Sequence, residues 1–174
     1  MLKKTLLLTF IFIAFSCSNS TPSGSNKNAG AVKWYGVQEG MDLAKKEGKG
    51  VIMFFYTDWC IYCKMMDAEV FSDVMISSFM NENFINIKIN PEKSRETISV
   101  MGQSFTPMNF MGEIGATGFP TTMFWDKNQK PLTVLPGYTD KDRFLSVLKY
   151  IKDDCFTKKI SLEEYMTDTS KCLK

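Results

Sequence analysis

A chain of 174 residues that is 44% hydrophobic and carries 14 phenylalanines can bury one core, and it has room for a single domain with extensions. Its formal charge of +2 rests on Lys3 and Lys4, because the remaining basic residues balance 19 acids; nucleic acid is therefore not an expected partner. The absence of histidine excludes a Cys–His nucleophile pair and removes the commonest metal ligand.

Residues 1–16 read as an export signal. Lys3 and Lys4 form its charged start, Leu6 to Phe15 its apolar run, and Ser16 is a small residue before Cys17. The apolar run is too short for a membrane span, which needs roughly 20 residues. The segment resembles a bacterial lipoprotein signal. That resemblance implies cleavage before Cys17, lipid on Cys17, and a membrane contact through that anchor. Ala14-Phe15-Ser16 departs from the usual pattern by lacking a leucine three residues before the cysteine. Residues 17–31, rich in Ser, Asn, Gly, Thr and Pro, form a flexible tether.

The main domain spans 32–152. Val37, Met41, Leu43 and Ala44 predict a helix stopped at Gly48 and Gly50. The apolar run Val51 to Tyr56 predicts a buried strand. Directly after it comes Thr57-Asp58-Trp59-Cys60-Ile61-Tyr62-Cys63-Lys64, and Tyr62, Met65, Met66 and Val70 then recur at helical spacing. Cys60 and Cys63 thus sit where a strand turns into a helix. A helix N-terminus offers unpaired N–H groups and a positive dipole end, which favour thiolate over thiol. Cys63 lies on the same face, close enough to resolve a mixed disulfide made by Cys60. Other readings are a structural bridge, half of a metal site, or two buried thiols. A bridge closing so short a loop would be a poor staple. A zinc site needs about four ligands, and the chain has no second closely spaced cysteine pair.

Asp73 predicts the N-cap of a second helix carrying Met75, Ile76, Phe79 and Met80, and Phe84 to Ile89 predicts a strand ended by Asn90-Pro91. In the insertion at 92–111, Ser94 to Met101 reads as helical and Gly102 to Asn109 as irregular. Met101, Met108 and Met111 cluster there, as core filler, an adaptable contact surface or soft-metal ligands. Gly118-Phe119-Pro120-Thr121 is a turn into a strand, Asp126 to Gln129 a hairpin turn, and Leu132 to Leu135 the returning strand. After Gly137, Thr139 and Asp142 form a capping-box-like pair before a helix with Phe144, Val147, Leu148 and Ile151 on one face. In the extension 153–174, Ser161 to Glu164 would cap a short helix. Cys155 and Cys172 read as a structural disulfide pinning that tail, or as a second redox pair.

Three separated features carry a family resemblance: Trp59-Cys60-Ile61-Tyr62-Cys63-Lys64, Gly118-Phe119-Pro120-Thr121, and Gly137 before the last helix. With the element order they resemble the thioredoxin family over roughly Val32 to Lys152. The run from Phe55 through Asp73 is most similar to the carboxy-terminal periplasmic domain of the reductase DsbD and to related exported thioredoxin-like proteins. The resemblance implies an α/β thioredoxin fold, a central mixed sheet with helices on both faces. It implies a cis Pro120 packed against the cysteine pair, Phe119 offering backbone to a substrate strand, and Trp59 shielding the disulfide. It implies a thiol–disulfide oxidoreductase with Cys60 as nucleophile and Cys63 as resolving thiol. No cofactor or metal is called for. Its partners would be protein disulfides in the cell envelope and a membrane electron donor of the DsbD type. The alternative is a non-catalytic module that binds a partner protein or a soft metal. Family members commonly carry a buried strand carboxylate six residues before the first cysteine, where this chain has Phe54. Asp67, at i+4 from Cys63, is the candidate replacement as proton acceptor, or else a solvated helix residue.

Overall fold

The computed structural model describes residues 30–173. The predicted signal at 1–16, Cys17 and residues 18–29 of the tether lie outside them.

The fold is built on β2 (Gly50–Phe55). Val51 to Phe55 are each 0% exposed, which is why this strand reads as an unbroken apolar run. Gly50 starts it because a Cβ there would lie 2.8 Å from the Trp125 carbonyl oxygen. On one side β2 pairs in parallel with β3 (Phe84–Ile89), Phe54 opposite Lys88; on the other it runs antiparallel to β6 (Thr121–Trp125). The short β1 (Trp34–Tyr35) adds to β3 in parallel, and β7 (Pro131–Pro136) adds to β6 antiparallel. The order β1-β3-β2-β6-β7 is the expected central mixed sheet.

Alternation along β2 divides the core. Ile52 and Phe54 join Met66, Val70, Phe71, Phe124, Phe144 and Leu148 on the face covered by α3 (Val74–Asn83) and α5 (Lys141–Lys152). Val51, Met53 and Phe55 join Ile87, Met123 and Trp125 on the face covered by α1 (Val37–Glu47) and α4 (Pro107–Glu113). Each large side chain fully buried here contributes about 1.5–3 kcal/mol. Helices on both faces complete the predicted α/β class.

Several termini follow from the local sequence. Gly48 adopts φ 63° to close α1. Asp73 caps α3 by accepting from the N–H groups of Met75 and Ile76. Three expectations are corrected. Ser94 to Met101 is not helical: Ile98–Val100 (β4) and Gln103–Phe105 (β5) form a hairpin, turned by Met101 and Gly102 at φ 51° and 82°. Ile98 points inward and Ser99 outward, so a two-residue alternation wins over the helical reading. Part of the segment read as irregular is α4, started by Thr106 as N-cap and Pro107 in its first turn. The cap of α5 is Asp140, which accepts from Asp142 and Arg143 N–H, whereas Thr139 is buried and its N–H donates to Met66 Sδ at 3.5 Å.

The extension folds back on α5. After a 3-10 turn at Cys155–Lys158, α6 (Leu162–Thr167) opens with a full capping box between Ser161 and Glu164, and α7 (Ser170–Leu173) follows. Cys155 and Cys172 are joined in a disulfide, both buried beside Tyr165. Among the described residues no helix is long and apolar enough to cross a membrane.

Candidate active site

Strand β2 ends at Phe55, and after the four residues Tyr56 to Trp59 comes Cys60, the N-cap of α2 (Ile61–Met65). Cys60 N–H donates to the Thr57 carbonyl at 3.2 Å, and the Cys60 carbonyl accepts from Lys64 N–H at 3.3 Å. Cys60 Sγ accepts from Cys63 N–H at 3.1 Å, the position a capping oxygen would take. The helix runs on without a break into a π-helical segment, Met66–Phe71. The Cys60 sulfur therefore sits against the positive end of a helix and receives one of its free N–H groups, and both effects favour a thiolate once the pair is reduced.

Cys60 and Cys63 form a disulfide, 5.2 Å between Cα atoms. Both are nearly sealed, Cys60 at 4% and Cys63 at 1% exposure, while Trp59, Ile61 and Tyr62 around them are 65%, 71% and 59% exposed. Large apolar side chains held in water thus ring a nearly sealed disulfide. Trp59 meets the ring of Phe119 edge to face at 5.9 Å between centroids. Its indole N–H donates to the Glu92 carboxylate at 3.1–3.2 Å. The Phe119–Pro120 peptide is cis, and Pro120 is buried. Gly137 N–H donates to the Pro120 carbonyl at 2.8 Å, so the loop before α5 buttresses this turn. Among the described residues, neither the N–H nor the C=O of Phe119 takes part in a backbone hydrogen bond.

Asp58 is tied to the loop after β3. It pairs with Lys93 and accepts from Asn90 Nδ2 at 3.2 Å. The hydrogen bond from Lys93 holds its carboxyl below the ordinary aspartate range. Asp67 lies at the surface of the helix, paired with a lysine of β3. Its side chain is 43% exposed, and both oxygens accept from Lys88 Nζ, at 2.6 and 2.8 Å. Lys88 lies over the rings of Trp34, Phe54 and Tyr56, 4.9–5.7 Å from their centroids. An ammonium over an aromatic floor, with its carboxylate on the helix, thus occupies the Phe54 side of the sheet. Lys88 and Glu92 were missed from sequence. The only signal was one charged residue inside a strand whose other members are apolar except Asn86, and another charged residue shortly after it.

The three methionines of the insertion lie in different settings. Met101 is 89% exposed at the hairpin tip and Met108 is 45% exposed, whereas Met111 is 3% exposed in the core under α4.

A family model described as a thioredoxin-like domain matches residues 37–152. Over 157 residues the chain is 24% identical to the thiol:disulfide interchange protein DsbD of Actinobacillus pleuropneumoniae serotype 5b, covering 84% of this chain and 25% of that protein. Over 63 residues it is 36% identical to rat spermatogenesis-associated protein 20, covering 36% of this chain and 8% of that one. The chain thus spans a quarter or less of these curated relatives. Among solved structures it is similar to a thioredoxin-fold protein from Helicobacter pylori, at TM-score 0.60 and 20% identity over 72% of this chain and 83% of that one. It is also similar to a thioredoxin from Thermus thermophilus, at TM-score 0.56 and 22% identity over 70% and 87%. These two likenesses concern the fold.

Proposed function

We propose, given that the chain belongs to the thioredoxin-like family, that it is an exported thiol–disulfide oxidoreductase that reduces protein disulfides in the cell envelope. The observation that carries this reading is the Cys60 sulfur capping a helix, joined to Cys63 and rimmed by exposed aromatic side chains.

In the reduced pair, Cys60 thiolate attacks one sulfur of a substrate disulfide. A mixed disulfide forms, and the other substrate sulfur leaves as a thiolate that takes up a proton. Cys63 then loses its proton and attacks Cys60 Sγ. The Cys60–Cys63 bond closes and the second substrate thiol departs. Substrate gains two electrons and two protons; the pair gives up two electrons and the Cys63 proton, and the second proton comes from solvent, to which Cys60 released its own on becoming a thiolate. A dithiol on a membrane-borne donor of the DsbD type returns them. Phe119 receives the substrate as an added strand, supported by its unused backbone groups; Pro120 and Trp59 line the approach. Asp67 takes the Cys63 proton with Lys88 as its counter-charge, supported by its i+4 spacing and by the apolar Phe54 at the strand position.

Anchoring at Cys17 would hold this domain at a membrane surface through the tether at 17–31. Labelled palmitate entering the wild type and not Cys17→Ala is the expected result; release of a soluble chain cut elsewhere would refute the anchor. For the activity, the chain with a dithiol reductant should reduce insulin disulfides, and Cys60→Ser should abolish this. Equal rates with and without Cys60 would refute the function. A reduction potential well below that of protein disulfides supports the reductase direction; a strongly oxidising one reverses it.

A further inference from the structure

Trp59 is not the only aromatic side chain pinned at the rim. Gly137, at φ 79°, turns the chain out of β7, and its N–H is fastened to the Pro120 carbonyl. Two residues on, Thr139 N–H is fastened to Met66 Sδ. Tyr138 is held between these two attachments. Its hydroxyl donates to Glu69 Oε2 at 2.6 Å, and its ring lies 6.5 Å from that of Tyr62, the residue before Cys63. Tyr138 and Phe119 both pack against the core cluster that contains Cys60 and Cys63. The cysteine pair is therefore bordered by two aromatic pairs, Trp59 with Phe119 and Tyr62 with Tyr138, and each is keyed by a carboxylate, Glu92 or Glu69.

This arrangement has a cost without an evident return in the free protein. Trp59, Tyr62 and Ile61 stay more than half exposed, while hydrogen bonds tie Trp59 to Glu92 and Tyr138 to Glu69. Rigid aromatic side chains carry few rotatable bonds, so they lose little entropy when a partner covers them. The Tyr138 hydroxyl is spent on Glu69, which leaves its ring as the surface on offer.

Resting on the oxidoreductase reading above, we propose that Tyr138, fixed by Glu69 and paired with Tyr62, determines substrate choice. It favours extended protein segments that carry an aromatic residue beside the disulfide cysteine. Such a ring would complete an edge-to-face or offset contact with Tyr138 and Tyr62 while the neighbouring sulfur meets Cys60.

The test compares two disulfide-linked peptides, identical except for Phe or Ser next to the cysteine, with hydroxyethyl disulfide as a third substrate. The full chain should prefer the Phe peptide by about tenfold in kcat/KM, carried by KM, the upper range of one aromatic contact. Tyr138→Ala should bring the ratio near unity, and Tyr138→Phe, which keeps the ring but loses the bond to Glu69, should retain a preference smaller than that of the wild type. Because the ratio is taken within one variant, a general loss of activity cancels. A wild-type ratio within twofold of unity, a ratio unchanged in Tyr138→Ala, or an equal loss in Tyr138→Phe overturns the proposal. The same ratio read as binding of cysteine-to-serine peptides does not depend on turnover. Failure with hydroxyethyl disulfide therefore refutes the oxidoreductase reading, while equal binding of the two peptides refutes the role of Tyr138.

Discussion

Replacing Cys155 and Cys172 together by alanine should lower the melting temperature by about 6–12 °C. The bridge spans 17 positions, and the loop-closure entropy of a ring that size corresponds to about 3 kcal/mol. For a chain of this length each kcal/mol moves Tm by about 2–4 °C. The full effect reaches Tm only if the tail melts together with the domain, and the packing says that it does. Tyr150 on the core helix α5 donates to the Ile160 carbonyl at 2.7 Å and meets Tyr165 at 5.6 Å between ring centroids. Alanine is the right substitution because both cysteines are buried, and a serine hydroxyl left without a partner there would add about 1–3 kcal/mol of its own. Thermal unfolding followed by circular dichroism measures the shift. Limited proteolysis at Lys158 and Lys159 reports separately on local opening. An unchanged Tm with faster cleavage there would refute cooperative melting of the tail. A collapse of disulfide reduction in a folded variant would make the pair a relay instead.

Asp67→Asn should slow resolution of the mixed disulfide at least tenfold near pH 7, within the roughly 10²–10⁴-fold range of a positioned proton-transfer group. Attack by Cys60 should change much less; stopped-flow separation of the two steps decides, and equal rates in both would make Asp67 only the partner of Lys88. The carboxyl of Asp58, titrated by carbon-detected NMR, should have its midpoint below the ordinary value, and in Lys93→Met the midpoint should rise. Since the folded-state pKa is the lower one, the stabilisation by Lys93 is present above the unfolded pKa and is lost as pH falls through the folded value. A midpoint unmoved by Lys93→Met would refute the contact. Glu92→Ala should free the Trp59 indole and alter its emission, taken as the difference from Trp59→Phe, whereas Glu92→Gln, still an acceptor, should not; a Glu92→Ala spectrum identical to that of the wild type would refute the latch.

What was readable in the sequence was what depends on neighbours along the chain. β2 announced itself because both its faces are buried, and Cys60 because a strand ends and a helix begins around it. The caps at Asp73 and Ser161 use side chains two or three residues from the groups they satisfy. The three-residue strands β4 and β5 are shorter than any periodic window, and their turn uses Met101 where asparagine or glycine would have signalled it. The rim of the site was hidden for another reason. Glu92 stands 33 positions from Trp59, and Tyr138 stands 69 from Glu69, so neither pairing exists until the sheet has assembled. Asp67 shows the intermediate case. Its spacing from Cys63 was legible, but Lys88, 21 positions away, decides where its carboxylate points.

The sheet has two open sides, and they are unequal to the middle. β1 offers only two residues, and β7 begins and ends in proline, which has no N–H to give a further strand. If Phe119 accepts extended chains as proposed, the same backbone chemistry would let such chains add to any open margin of the sheet. With one margin short and the other blunted, strand addition would be left to the turn beside Cys60, where the visiting chain meets a sulfur and can be released. The molecule would then handle aggregation-prone chains without becoming the template on which they assemble.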